Sequence, residues 1–139
     1  MTNILPSMRD YRFAEMAATE AKRSNCLMQH GCVAVKNGRI FGRGYNNYRT
    51  RSNDGFIQNC MTCHAEMSAL REVNKLNINF KKVSLYIVRV DSNNCLKSSA
   101  PCVDCMKHIL RLKIKRIIYS NGNGELTVQN PLLYEIKHV

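Results

Sequence analysis

The chain has 139 residues, 45% of them hydrophobic and 22% charged, with 21 Lys and Arg against 10 Asp and Glu for a net charge of +11. These values are typical of a single globular domain that buries its own core, and we read residues 1–139 as one domain without repeats, linkers or low-complexity segments. No window approaches the roughly 18–20 apolar residues of a membrane span, and Met1-Thr2-Asn3-Ile4-Leu5-Pro6 does not read as a secretory signal, so the expected setting is cytoplasmic.

Pro6 and Ser7 suit the start of a first helix running to about Asn25, with Met8, Tyr11, Ala14, Ala17, Ala18 and Ala21 recurring at helical spacing. Two strands follow, Cys32 to Lys36 and Arg39 to Tyr45, joined by Asn37-Gly38, whose positions tolerate positive φ in a tight hairpin. A polar loop from Asn46 to about Cys60 leads to His64. From there to Lys75 the pattern is helical, with Met67, Leu70 and Val73 as an apolar stripe. Val83 to Val90, rich in β-branched residues, reads as a third strand, and Asp91 to Ala100 as a loop. Pro101 sits where proline is favoured, in the first turn of a helix that ends near Leu112. Lys115 to Ser120 is a fourth strand, and Asn121-Gly122-Asn123-Gly124 turns the chain into an antiparallel fifth, Leu126 to Val128. This order predicts an α/β domain with helices packed on a mixed sheet.

Two motifs carry the chemistry, His64-Ala65-Glu66 and Pro101-Cys102-Val103-Asp104-Cys105. A closed structural zinc site uses four protein ligands, whereas a catalytic one keeps a position for water. His64, Cys102 and Cys105 supply three ligands and leave the fourth position open. Glu66, two residues from His64, is placed to move protons to and from a bound water. Both motifs lie at helix starts, whose N–H groups and positive dipole ends favour thiolate over thiol. The competing readings are a structural zinc and an inert thiol pair.

At these residues, and in the order of elements from about Pro6 to Ser120, the chain resembles the zinc-dependent cytidine/deoxycytidylate deaminase superfamily, whose H-x-E and P-C-x-x-C signature it matches without substitution. The resemblance implies a three-layer α/β/α fold with a mixed five-stranded sheet and helices on both faces. It implies hydrolytic deamination of a cytosine nucleotide or nucleoside, with Glu66 shuttling protons. It further implies pyrimidine contacts from the backbone around Ala65 and Cys102, an Ala100 carbonyl facing the departing amino group, and Asn46 on sugar or base; an ordinary turn residue is the alternative at Asn46. Homo-oligomers are common among relatives. Histidine in the first motif resembles the deoxycytidylate, tRNA-adenosine and polynucleotide deaminases more than those acting on free cytidine. A single-stranded polynucleotide or tRNA base deaminase, a purine or pterin-like substrate, and a catalytically silent zinc-stabilised nucleic-acid-binding module therefore stay open.

Arg49 and Arg51 before His64, and Lys97 before Pro101, occupy loops expected to open towards the site. They are candidate phosphate contacts or, equally, solvated loop charges. The excess of basic residues favours an anionic partner, a mononucleotide or a nucleic acid. Without export, the seven cysteines read as thiols or metal ligands. Cys60-Met61-Thr62-Cys63-His64 also spells a c-type haem attachment motif, a reading that requires export and competes for His64. Cys60, Cys63 and Cys95 form a second candidate zinc set, against which stands the usual role of lone cysteines as small buried hydrophobes. Cys26 and Cys32 read as core, and His30, His108 and His138 as structural or surface residues.

Overall fold

A computed structural model describes residues 5–48, 53–54 and 64–131. The elements in chain order are α1 (Met8–Ala21), β1 (Gln29–Lys36), β2 (Arg39–Tyr45), α2 (Ala65–Lys75), a short 3₁₀ turn (Phe80–Lys82), β3 (Ser84–Val90), β4 (Leu96–Lys97), α3 (Val103–Leu112), β5 (Arg116–Ser120) and β6 (Leu126–Gln129). The main sheet runs β2-β1-β3-β5-β6. Its β3–β5 pair is parallel and the other neighbours are antiparallel, so the sheet is mixed as expected. The five expected strands all form. The sixth, β4, pairs Arg89 with Lys97 and Val90 with Leu96 inside the segment expected to be a loop. Two residues are too few to show a strand pattern, and an Asp91 turn creates the pairing: Asp91 Oδ1 accepts the N–H groups of Asn93 and Cys95.

Helices cover both faces. On one, Phe13, Ala14 and Ala17 of α1 pack on Val33, Val35, Tyr86, Val88 and Ile118. On the other, Met67, Leu70 and Val73 of α2 and Met106 and Ile109 of α3 pack on Cys32, Ala34, Leu85, Ile87 and Ile117. Alternate residues of β1 and β3 therefore feed opposite cores, which the period-2 geometry of a strand requires. The Asn37-Gly38 turn has positive φ at both residues, 51° and 75°, as its sequence predicts. No helix among the described residues is long and apolar enough to cross a membrane.

A carboxylate inaccessible to pattern reading ties the first layer to the sheet. Asp10, 2% exposed, accepts Tyr86 Oη at 2.6 Å and Arg116 Nη2 at 2.8 Å on one oxygen, and the Ser7 N–H at 2.9 Å on the other. The Ser7 side chain in turn accepts the Asp10 N–H, completing a capping box at the start of α1. Burial alone would raise the Asp10 pKa, but the bonds from Tyr86, Ser7 and Arg116 outweigh it and hold the carboxyl below its ordinary range. A group whose pKa falls on folding stabilises the fold above its unfolded pKa, and that stabilisation is lost as pH drops through the folded value. Asp10→Asn should therefore cost about 2–4 kcal/mol at neutral pH. The deficit relative to the parent chain should shrink below about pH 4. Denaturant titrations at pH 7 and pH 3 read both effects; a deficit independent of pH would show that the ionised carboxylate is not what holds α1.

Candidate functional site

The site forms at the sheet end where β1 begins and β3 finishes, because the two helices on one face both start there. α2 lies against β2 through its small residues. A Cβ built on Gly44 would fall 2.5 Å from the Ala65 carbonyl oxygen, and one on Gly42 would fall 2.3 Å from that of Ala69. Only glycine at both positions lets the helix backbone sit this close to the strand. His64 caps α2 with extended backbone, and Glu66 follows in its first turn. Asp54 is held to α2 by Arg71, whose Nε lies 2.8 Å from its Oδ2.

α3 presents the thiols. Cys102 is its N-cap, and Cys102 Sγ accepts the Cys105 N–H at 3.4 Å. Pro101 thus precedes the cap instead of occupying the first turn as expected; a thiolate at the cap serves the free N–H groups of the helix. A residue not singled out in the sequence, Ser99, fixes the approach. Its hydroxyl donates to the Ile87 carbonyl at 2.7 Å and contacts Ser120 Oγ at 2.7 Å, while its N–H donates to the Ser120 carbonyl. Ser120, at the end of the apolar strand β5, was the available signal for this lock.

These placements bring the three expected ligands together. The ligand atoms of His64, Cys102 and Cys105 lie within 4.8 Å of one another. His64 Nδ1 is 3.1 Å from Cys105 Sγ and 3.4 Å from Cys102 Sγ. A tetrahedral zinc with bonds of about 2.1 Å to nitrogen and 2.3 Å to sulfur separates such atoms by about 3.6 Å. The nitrogen-and-two-sulfur donor set and its spacing fit zinc, with one position left to a non-protein ligand. Cys102 is pulled down to about 5, chiefly by the Cys105 thiol donating to it, against the opposing effect of burial, with the Cys105 N–H and His64 adding to the shift. Cys105 is driven upward by the same bond, by burial and by Glu66. The bond between them thus favours thiolate at Cys102 and thiol at Cys105.

Glu66 is 5% exposed. Burial raises its pKa and the Cys102 thiolate adds to the rise, while its own N–H, His64 and the Cys105 thiol oppose it. It lines a cavity of about 430 Å3 with His64, Ala65, Ala100, Cys102 and Asn46. Asn46 is more than a turn residue. Its Oδ1 accepts the His30 N–H at 2.9 Å and its Nδ2 donates to the Met28 carbonyl at 2.6 Å, stapling the exit of β2 to the entry of β1. Among the described residues, one amide hydrogen and one lone pair of Asn46 have no partner and are available to a ligand. His30 and Cys26, expected to be structural or core residues, also line this cavity, together with Leu27, Met28, Tyr48 and Ser99.

Lys97 is not among the described residues that line this cavity; strand β4 holds its amine 3.7 Å from Asp91 Oδ2. No Lys or Arg is among the described lining residues. Arg49, Arg51, Cys60, Cys63 and His138 lie outside the described residues, and Cys95 is exposed on the β3–β4 turn.

The family described as the cytidine and deoxycytidylate deaminase zinc-binding region matches residues 7–121, which contain every element just described up to β5. The chain belongs to this deaminase family. Among its relatives, the deoxycytidylate deaminase of Schizosaccharomyces pombe is 33% identical over 132 residues, covering 82% of this chain and 37% of that enzyme. The chain thus spans little more than a third of that relative's length. A tRNA-specific adenosine deaminase of Streptococcus pyogenes serotype M18 is 33% identical over 113 residues, covering 80% of this chain and 62% of that one. Among solved structures, the dCMP deaminase of cyanophage S-TIM5 superposes in its apo form with TM-score 0.62 at 30% identity, over 83% of this chain and 85% of that one. In complex with dCMP and dUMP it superposes with TM-score 0.65 at 25% identity, over 86% and 85%. Membership and the donor set together assign one zinc to His64, Cys102 and Cys105.

Zinc coordinates thiolates, so binding must expel the Cys105 proton. Calorimetric titration of the metal-free chain at pH 7, repeated in buffers of different ionisation enthalpy, should show release of about one proton per zinc at a stoichiometry of one. Cys105→Ser should lose tight binding. Release of no proton would mean that the two sulfurs are not held as a thiolate–thiol pair.

Proposed function

We propose that this chain is a zinc-dependent hydrolase that deaminates a cytosine nucleotide, of the deoxycytidylate type, to the uracil product and ammonia. The observation that carries the reading is the position of Glu66, a buried carboxylate beside three zinc-type donors on the wall of a cavity of about 430 Å3, a volume suited to a small ligand. Zinc on His64, Cys102 and Cys105 would supply a Lewis acid and an acidified water. Glu66, its pKa raised by burial, holds and moves the protons, from the attacking water to N3 of the ring and on to the departing ammonia. The walls from Leu27 to Met28 and from Ser99 to Ala100 bound the ring, and Asn46 offers its free N–H and lone pair to the sugar or base.

The similarity to deoxycytidylate deaminases, one of them solved with dCMP and dUMP, supports a 5′-phosphorylated substrate. Arg49, Arg51 and Lys97 are our candidates for the phosphate. Homo-oligomeric assembly belongs to the same reading and is open to light scattering. A second reading, deamination of a base within tRNA or a single strand, is favoured by the match to the tRNA-specific adenosine deaminase and by the net charge of +11. A silent zinc module is disfavoured by Glu66, since a structural site has no use for a buried carboxylate that is not a ligand.

Mass-spectrometric assays of the zinc-loaded protein against dCMP, CMP, deoxycytidine, single-stranded DNA and tRNA decide between these readings. We expect dCMP to be turned over best. Glu66→Gln should keep its zinc and lose at least about a thousandfold in kcat. Turnover of polynucleotide alone would replace the proposal with the second reading, and a Glu66→Gln protein as fast as the parent would remove Glu66 from the chemistry.

A further inference from the structure

A row of side chains crosses the sheet at the end where the cavity lies. His30 of β1 stands directly opposite Arg89 of β3, and Arg89 directly opposite Lys97 of β4. Side chains paired in this way project from the same face of a sheet. It is the face that carries the zinc centre. Cys32 and Ile87, two residues from His30 and Arg89, belong to the core under α2 and α3, whereas Val88 and Leu96 pack on the α1 side. His30 lines the cavity, so the row starts at its wall. With strands about 4.8 Å apart, Arg89 lies one strand and Lys97 two strands beyond that wall.

Arg89 lacks what the comparable arginines have. Among the described residues three arginines are half-buried, Arg71, Arg89 and Arg116. Arg71 lies 2.8 Å from Asp54 and Arg116 lies 2.8 Å from Asp10. No carboxylate among the described residues lies within ion-pair distance of Arg89. Asp91, at the turn between β3 and β4, is taken by Lys97 instead, at 3.7 Å. Drawing a guanidinium part-way out of water without an acid costs free energy that an arriving anion recovers. His30 brings no charge of its own to the row: burial, and then the charges of Arg89 and His64, hold its imidazole down to about 4, so the ring is neutral at physiological pH.

We propose that Arg89 is a specificity-determining residue of the zinc site, binding the phosphate of a nucleotide whose base lies in the cavity and so selecting the nucleotide over its nucleoside. The inference rests on the reading of the zinc centre as a nucleotide deaminase. A planar guanidinium meets two phosphate oxygens at once, which an ammonium does not. Its seat is rigid. Arg89 is paired to β1 on one side and to β4 on the other, and its N–H donates to Ser120 Oγ at 3.3 Å. A group held on a strand places its charge more exactly than one carried on a loop. Lys97 stands beside it in the row, but Asp91 already answers its charge.

Steady-state kinetics of the zinc-loaded protein on dCMP and on deoxycytidine test this directly. Arg89→Met should lower kcat/KM for dCMP at least about tenfold, chiefly through KM, and change that for deoxycytidine by less than about twofold. Inhibition by dUMP should weaken at least about tenfold in the same variant, while inhibition by deoxyuridine stays as in the parent. Arg89→Lys, which keeps the charge and loses the fork, should fall between the parent and Arg89→Met, and it carries the test alone if the latter does not fold. Arg12→Met, the same charge change on α1, should match the parent. An unchanged preference for dCMP in a folded Arg89 variant, or equal losses on dCMP and deoxycytidine, would overturn the proposal. A parent chain that turns over no dCMP would instead remove the nucleotide-deaminase reading, and this inference with it.

Discussion

The contact of α2 with β2 is the constraint on which the zinc centre depends. Its helix backbone approaches the strand so closely that the carbonyl oxygens of Ala65 and Ala69 occupy the space where side chains would stand on Gly44 and Gly42. That approach sets the height of the first turn of α2 above the sheet, and with it the His64 ring and the Glu66 carboxylate. A separate device sets α3: the Ser99–Ser120 lock holds the irregular segment that leads into Cys102. Metal geometry tolerates errors of only a few tenths of an ångström. Two rigid seats, one for each helix, are what let two distant motifs meet within that tolerance.

The molecule is divided by charge along the strand direction. At one end the described cavity lining holds no cation, and burial raises the pKa of Glu66. At the other, among the described residues, five cations line an open cleft with one acid, already paired. The net charge of +11 is thus not evenly spread around the chemistry. Among the described residues, five cations gather at the sheet end remote from the zinc ligands. For the substrate, attraction must come from elsewhere, and Arg49 and Arg51 are placed by sequence to supply it.

Much of this was legible before any coordinates. The 3.6 and 2 periodicities located both helices of the site and the five principal strands, because each element buries one face and its apolar residues must keep step with its geometry. The ligands and Glu66 were legible because spacing is the chemistry: cap and first-turn positions place Cys102 beside Cys105, and His64 beside Glu66. What escaped was whatever depends on partners far along the chain. Asp10 looks like a surface acid of α1 until Tyr86 and Arg116 arrive from two other strands. Lys97 reads as a free loop lysine until the Asp91 turn folds it onto β3. His30 and Cys26 line the cavity beside Asn46, whose side chain staples β2 to the entry of β1.

The seat of α2 is best tested by zinc affinity in Gly44→Ala, measured by competition with a chromophoric chelator. Adding one methyl forces the helix off the strand by about an ångström and should cost about 1–3 kcal/mol of stability. The folded variant should bind zinc at least about tenfold more weakly than the parent. Gly122→Ala, whose methyl meets nothing within 4 Å, should bind as the parent does. A Gly44→Ala protein that holds zinc with undiminished affinity would show that the close approach of helix and strand does not position the site.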